Sequence, residues 1–380
     1  MNYRQSVNIA AVFLLLIFGF AIATVLKPSN ERSETENRLL EQKPDLTWNA
    51  LISGEFSEDY EAYLSDQFVG RDGWISLKTA FERAALRQEA EDVYFARDNY
   101  LIEKHTGVFT AETAERNIQT LSAFFTNLSK SMDPAHLTAM VVPNAVDILR
   151  DKLPPFADPY DEEIYLQKIA GALPEGVWFD SSSVLRQHSG EEIYYRTDPH
   201  WKTLSAYYTF EAWAGEKGLA GDSAFSFRPV TVTDSFEGTI ASRLGIVGRA
   251  DSIERFDPEI PFDYYLIYNQ SDDIRNTIYQ DSFLERKDKY AYFYGGNFGL
   301  IQAKMPEHET GRKLLVIKDS YAHCFVPFTY ALFDQVDMLD TRYYNASISA
   351  LIGQENYTDI LFLFNAAGFA EETSLARLMS

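Results

Sequence analysis

Cysteine is nearly absent from this chain. Cys324 is the only one among 380 residues, so no internal disulfide can form. A single thiol also excludes a cysteine-based zinc cluster. The six histidines are His105, His136, His188, His200, His308 and His323. They show neither HExxH nor HxH spacing, so neither a metal site nor any other cofactor is expected. Positive charge is scarce too. Lys and Arg number 34 against 56 Asp and Glu, for a net charge of -22. That excess disfavours nucleic acid and an anionic bilayer surface as partners. It is spread along the chain and reads as solubility. No internal repeat and no low-complexity tract is visible.

Apolar residues and aromatics are plentiful, with 23 Tyr and 27 Phe. The length suits one large or two ordinary domains with a substantial core. Ile9 to Leu26 is an uncharged, mostly apolar run of 18 residues, just long enough to cross a bilayer as a helix. Arg4 precedes it, and Glu31, Glu34, Glu36 and Glu41 follow Lys27. The positive-inside rule then leaves residues 1–8 in the cytosol and exports the rest. A cleaved signal peptide is the rival reading, because Ala21-Ile22-Ala23 resembles an A-x-A site. The uncleaved single-pass anchor is preferred, and both readings place the main body outside the cytoplasm. A lack of cysteine pairs is compatible with an exported bacterial protein of this size.

Residues 27–109 read as a juxtamembrane linker followed by a helical and hairpin region. Helical apolar spacing runs from Phe56 to Leu86, broken at Gly70-Arg71-Asp72-Gly73. Val93-Tyr94-Phe95 and Tyr100-Leu101-Ile102 flank the turn residues Arg97-Asp98-Asn99. From 110 to 380 short apolar strands alternate with helices. Strands are expected at 137–142, 177–179, 313–318, 336–339 and 360–364. Helices are expected at 111–130 (with Thr110 as N-cap), 160–172, 204–217, 321–333 and 346–354. This alternation predicts an α/β domain with a mainly parallel sheet flanked by helices. Residues 221–310 break the rhythm and read as an insertion or cap over the sheet.

Two segments could carry chemistry. Asp319-Ser320-Tyr321-Ala322 puts a serine between a strand and a helix. In an open α/β sheet, ligands bind beyond the carboxyl ends of the strands. The hydroxyl would emerge near the positive end of the helix, which favours a developing oxyanion. A plain helix N-cap is the competing role for Ser320. Asp198-Pro199-His200-Trp201 supplies a carboxylate and an imidazole two residues apart. Proline pushes its predecessor to extended backbone, where residues two apart share a side. Asp198, His200 and Ser320 thus fill the acid, base and nucleophile roles of a serine site. A turn with a surface histidine and a buried Trp201 is the alternative. Tyr294-Gly295-Gly296-Asn297 offers backbone and amide donors for an oxyanion, or is a simple hairpin turn. Asn144 and Asn365 follow other strands and could face the same cleft.

These motifs resemble the DHHW protein family, which is similar to the periplasmic alginate O-acetyltransferases and, through them, to SGNH hydrolases. The resemblance covers most of the chain. It rests on Ser33-Glu34-Thr35-Glu36-Asn37-Arg38, Ser53-Gly54-Glu55-Phe56, Tyr63-Leu64-Ser65-Asp66-Gln67-Phe68 and Arg71-Asp72. It continues through Val142-Pro143-Asn144, Tyr195-Arg196-Thr197-Asp198-Pro199-His200-Trp201, Gly295-Gly296-Asn297 and Ile317-Lys318-Asp319-Ser320-Tyr321-Ala322. The order acid, base, serine matches the alginate enzymes, whereas ordinary SGNH hydrolases begin with serine. One departure is Pro199, where the family name implies histidine. The resemblance implies an SGNH-like fold with Asp198, His200 and Ser320 as catalytic acid, base and nucleophile. Gly296, Asn297, Asn144, Trp201 and Tyr321 become candidates for oxyanion or substrate contact. It implies an O-acetyltransferase acting on an exported or cell-envelope polysaccharide, with a multi-pass membrane O-acyltransferase as donor partner. A carbohydrate esterase using the same residues, or a non-catalytic glycan-binding scaffold, fits the same sequence.

Overall fold

The computed structural model describes residues 3–33, 38–219 and 226–379. Glu34-Thr35-Glu36-Asn37 of the N-terminal motif lie outside these residues, as do residues 221–225 of the expected insertion. The chain forms two compact units, Met1–Arg87 with Ala241–Val247, and Gln88–Ile240 with Gly248–Ser380.

The first unit opens with a helix over Tyr3–Leu26. Its Arg4–Leu26 portion is long and apolar enough to cross a membrane, and almost none of it is buried by protein. A short helix, Trp48–Ser53, is capped by Thr47 Oγ1 accepting from the Ala50 amide at 3.2 Å and is stopped by Gly54 at φ 88°. Helices Glu55–Gln67 and Arg71–Ala84 follow. Gly70, at φ 70°, makes the break between them that the sequence suggested.

The second unit is built on one mixed sheet. Its strands are β1 (Leu137–Val142), β2 (Tyr265–Tyr268), β3 (Ile274–Arg275), β4 (Leu300–Lys304), β5 (Lys313–Lys318), β6 (Gln335–Leu339) and β7 (Asp359–Asn365). Their order is β3-β2-β4-β6-β5-β7-β1. The run β6-β5-β7-β1 is parallel, while β4, β2 and β3 pair antiparallel. The main helices are α1 (Glu112–Leu128), α2 (Glu162–Ala172), α3 (Thr203–Glu216), α4 (Ala322–Thr329) and α5 (Ile348–Glu355).

Alternate strand residues serve opposite faces, as the period of two requires. Leu314, Val316, Leu361 and Leu363 pack with Phe210 and Trp213 of α3 and Phe325 of α4. Leu315, Ile317, Ile360 and Phe362 pack with α1, α2 and α5 on the other face. Both faces are covered, so β5 and β7 are apolar almost throughout. Each buried aliphatic side chain contributes about 2 kcal/mol. The result is a three-layer α/β unit with one core on either side of the sheet.

Several details differ from the sequence expectations. The stretch 221–310 does not simply cap the sheet, since it supplies β2, β3 and β4. A parallel crossover needs about a dozen residues. The β4–β5 link, residues 305–312, is shorter than that, so the chain reverses direction there. The expected strand 177–179 is a single bridge, Trp178 with Ala139. Thr110 is not the cap of α1: its hydroxyl bonds the Gly107 carbonyl, and Ala111 holds the N-cap position. The expected helix 321–333 is regular only over 322–329. The 93–103 hairpin is present, and Asp98 and Asn99 turn it at positive φ.

Candidate active site

β5 ends at Lys318 and α4 begins at Ala322, so Asp319, Ser320 and Tyr321 form a tight turn at the carboxyl edge of the parallel strands. Asp319 is buried and pins this turn. Its Oδ1 accepts from the Tyr321 amide at 2.8 Å, and its Oδ2 accepts from the Asn365 backbone and side-chain nitrogens at 2.8 and 2.6 Å. Burial pushes the Asp319 carboxyl up, against the pull of those N–H groups. Ser320 is left partly exposed. It is not a helix cap, because the N-cap position belongs to Tyr321 and carries no side-chain cap bond. The Ser320 backbone N–H has no hydrogen-bond partner among the described residues. It is therefore available to an oxygen atom placed beside the hydroxyl.

The Ser320 hydroxyl meets His200. Oγ lies 2.7 Å from Nε2, and Nδ1 lies 2.5 Å from Asp198 Oδ1. With Asp198 ionised, Nδ1 carries the proton and Nε2 is the acceptor for Ser320. The Asp198 carboxylate is buried. Burial alone would raise its pKa. The positive charge that His200 carries when protonated and its hydrogen bond, with the N–H groups of Thr239 and His200, outweigh burial and hold it below the usual carboxylate value. Its second oxygen accepts from the Thr239 amide at 3.0 Å and from the Thr239 hydroxyl at 3.2 Å.

The local geometry differs from the extended segment expected at 198–200. Residues 196–200 form a bend that is closed by the Tyr194–Trp201 bridge. The His200 amide donates back to Asp198 Oδ1 at 3.2 Å, so a turn centred on the aspartate juxtaposes the two side chains. Buried Asp251 anchors the approach by accepting from the Arg196 and Thr197 amides and from the Thr197 hydroxyl.

Trp201 and Tyr321, expected at the ligand surface, are instead buried. Trp201 Nε1 donates to the Tyr321 carbonyl at 2.9 Å, and the Tyr321 hydroxyl donates to the Pro199 carbonyl at 2.6 Å. Their rings stack with centroids 5.5 Å apart. They fasten the His200 loop to the Ser320 turn from beneath. Asn144 is also buried. Its amide nitrogen donates to Asn365 Oδ1 at 3.1 Å, and its oxygen accepts from the Ala367 amide at 2.9 Å. It thereby joins the ends of β1 and β7. Gly295 and Gly296 adopt φ 82° and 115°, which presents Asn297 on an exposed turn. Lys318 Nζ lies 3.4 Å from Asn297 Oδ1.

Four supporting residues escaped the sequence reading. Tyr290 lies flat on the His200 ring and donates its hydroxyl to the Ser320 carbonyl at 3.2 Å. Lys318 is fully buried, with Nζ 2.8 Å from His323 Nε2 and 3.2 Å from Asp340 Oδ2. Burial, then the charges of Lys318, His200 and Arg342, hold His323 neutral, well below the usual imidazole value. Gly238 leaves no room for a side chain, since a Cβ there would sit 2.3 Å from the Asp198 Cβ. Only the placement of Lys318 beside Asp319-Ser320 gave any signal in the sequence. A cavity of about 690 Å³ lies elsewhere, against Pro327 and Tyr330 near the far end of α4. Among the described residues, no group of three or more His, Cys, Asp or Glu could hold a metal ion.

A mixed α/β unit with a hydrogen-bonded Asp-His-Ser array at the carboxyl edge of its parallel strands defines the class. The DHHW protein model matches residues 123–339, more than half of the sequence and inclusive of all three array residues, and the chain belongs to the DHHW family. A DHHW family protein of Eubacterium siraeum has a similar structure, with TM-score 0.59 and 21% identity over 76% of this chain and 95% of that one. PatB1 of Bacillus cereus, solved with a sulfonyl adduct, aligns with TM-score 0.57 and 17% identity over 74% and 98% of the two chains. The O-acetyltransferase domain of Pseudomonas putida AlgJ aligns with TM-score 0.46 and 13% identity over 75% and 98%. No curated protein matches the sequence.

Proposed function

We propose that this protein is an SGNH-like O-acetyltransferase that passes acetyl groups to a hydroxyl of an exported or cell-envelope polysaccharide. The observation that carries the proposal is the continuous array Ser320 Oγ–His200 Nε2–His200 Nδ1–Asp198 Oδ1 at 2.7 and 2.5 Å. Ser320 Oγ attacks the acetyl carbonyl carbon and its proton moves to His200 Nε2. Asp198 stabilises the imidazolium. The Ser320 N–H, with Asn297 as a candidate second donor, takes the charge that develops on the carbonyl oxygen. As the tetrahedral intermediate collapses, the leaving oxygen recovers the proton from His200 and acetyl-Ser320 remains. A sugar hydroxyl then gives its proton to His200 and attacks the ester carbonyl; as the bond from Ser320 Oγ to the acyl carbon breaks, His200 returns the proton to Oγ and the acetylated sugar is released.

Membership of the DHHW family supports the acetyl and glycan parts of this reading through the motif resemblance described above. The sulfonyl adduct reported for PatB1 is chemistry expected of an activated nucleophile. The apolar N-terminal helix supports an extracytoplasmic main body held by a single-pass anchor. A donor site outside the cytosol would then depend on a multi-pass membrane O-acyltransferase to deliver acetyl groups. Carbohydrate esterase is a second reading, favoured by the partial exposure of Ser320, which admits water as the acceptor.

The test is an aryl acetate donor with and without oligosaccharide acceptors, comparing the chain with its Ser320→Ala variant. Ester products on the sugar that depend on Ser320 support the transferase. Release of acetate alone, even at high acceptor concentration, supports the esterase. Turnover unchanged by Ser320→Ala overturns both in favour of a non-catalytic scaffold.

A further inference from the structure

The helix Arg71–Ala84 turns its apolar residues outward. Trp74, Leu77 and Phe81 are 45%, 59% and 75% exposed. At 3.6 residues per turn they fall within about 60° of one another on the helix surface. Thr79, the one buried residue of the helix, lies on the opposite side. An amphipathic surface helix ordinarily does the reverse.

The neighbours of this helix show at what level the stripe lies. The Trp74 ring meets Phe20 of the N-terminal helix edge-on, with centroids 5.4 Å apart. Phe68 packs on the Phe20 ring with centroids 6.1 Å apart, and the Val69 amide donates to Thr24 Oγ1 at 3.3 Å. The 68–74 segment is thus docked on the last two turns of the apolar helix. At 1.5 Å per residue, Phe20 is about 10 Å and Thr24 about 5 Å short of Lys27 along the axis. If Lys27 marks the outer headgroups, Trp74 sits within the outer leaflet boundary, the depth that Trp and in-plane helices favour. A hollow of about 360 Å³, lined by Lys27, Asn30, Asp66 and Arg71 together with Leu40 and Phe68, opens beside the same segment.

We propose that the Trp74–Leu77–Phe81 stripe is a membrane-contact surface that lays the Arg71–Ala84 helix along the outer face of the bilayer. The proposal rests on the anchored reading of the N-terminal helix. It adds a second, in-plane attachment that limits tilting of the first unit on the membrane. The occupant is the lipid of a neutral bilayer, since the net charge of -22 disfavours anionic lipid.

The experiment uses the full chain in phosphatidylcholine nanodiscs, with a nitroxide placed by Leu15→Cys, Leu77→Cys, Phe81→Cys or Asp234→Cys. Native Cys324 is buried and stays unlabelled. Spin relaxation by oxygen, which concentrates in lipid, is compared with relaxation by a water-soluble nickel chelate. Oxygen should dominate at positions 15, 77 and 81, and nickel at exposed position 234. Nickel dominance at 77 and 81 with oxygen dominance at 15 overturns the contact surface and leaves the anchor standing. Exclusion of both reagents from 77 and 81 overturns it in favour of a second copy or another protein. Nickel dominance at 15, 77 and 81 removes anchor and surface together.

Discussion

Tyr290 lies flat against His200, with ring centroids 3.9 Å apart and 19° between the planes, and the same tyrosine donates its hydroxyl to the Ser320 carbonyl. One side chain therefore touches both the proposed base and the backbone of the proposed nucleophile. An aromatic pair of this kind is worth about 0.5–1.5 kcal/mol beyond its buried area. Tyr290→Leu removes both contacts, and kcat for aryl acetate turnover should fall about tenfold or more, with KM nearly unchanged. Tyr290→Phe keeps the stack and should recover most of that loss. Equal losses in the two variants would show that the ring contact does not matter.

Gly238→Ala should be among the most damaging single-methyl changes in the second unit. The added Cβ would lie 2.3 Å from the Asp198 Cβ and 2.6 Å from the Thr197 carbonyl oxygen. The 237–239 turn must withdraw, and Asp198 loses the Thr239 amide. Overpacking of this kind costs about 1–3 kcal/mol. Thermal unfolding should show the lower midpoint, and activity at a temperature where the variant is still folded should be reduced as well. A variant with wild-type stability and turnover contradicts the close packing.

Glu162 ties stability to pH. Its carboxyl is buried, Oε2 accepts from the Asn144 amide at 2.7 Å, and Oε1 has no partner among the described residues. Burial pushes its pKa up to about 8, against the opposing Asn144 N–H. The native value exceeds the unfolded one, so the native state binds more protons between the two values. This group's contribution is complete below pH ~4.5 and is lost as pH rises through about 8, with a slope of at most about 1.4 kcal/mol per pH unit. Glu162→Gln keeps an acceptor for Asn144 and should flatten that part of the denaturation profile. An identical slope in the variant would refute the assignment.

Much of this was legible in the sequence because it depends on local pattern. Short apolar runs between amphipathic ones located β1, β5, β6 and β7. The spacing of Asp198, His200 and Ser320 around those strand ends suggested that they meet. The run from Phe262 to Tyr268 reads as β-like and holds β2, but the place of β2 to β4 in the main sheet was not legible, since their direction depends on which partners they find and not on their own residues. Whether Trp201 and Tyr321 face a ligand or pack beneath the site was not legible for a related reason. Large aromatics suit both a ligand surface and the packing beneath it, and only burial separates the two. Tyr290, Gly238 and Thr239 act through contacts with residues far away in the chain, which no local pattern records.

The central claim is that Ser320 becomes acetylated with His200 as its base. The most direct measurement is peptide mass spectrometry of the full chain, acid-quenched during steady turnover of an aryl acetate, beside His200→Ala and Asp198→Asn. One acetyl group should appear on the peptide containing Ser320, scarcely form in His200→Ala, and persist at a lower level in Asp198→Asn. Acetylation that stays on other residues, or an acetyl-Ser320 yield unaffected by His200→Ala, would contradict it.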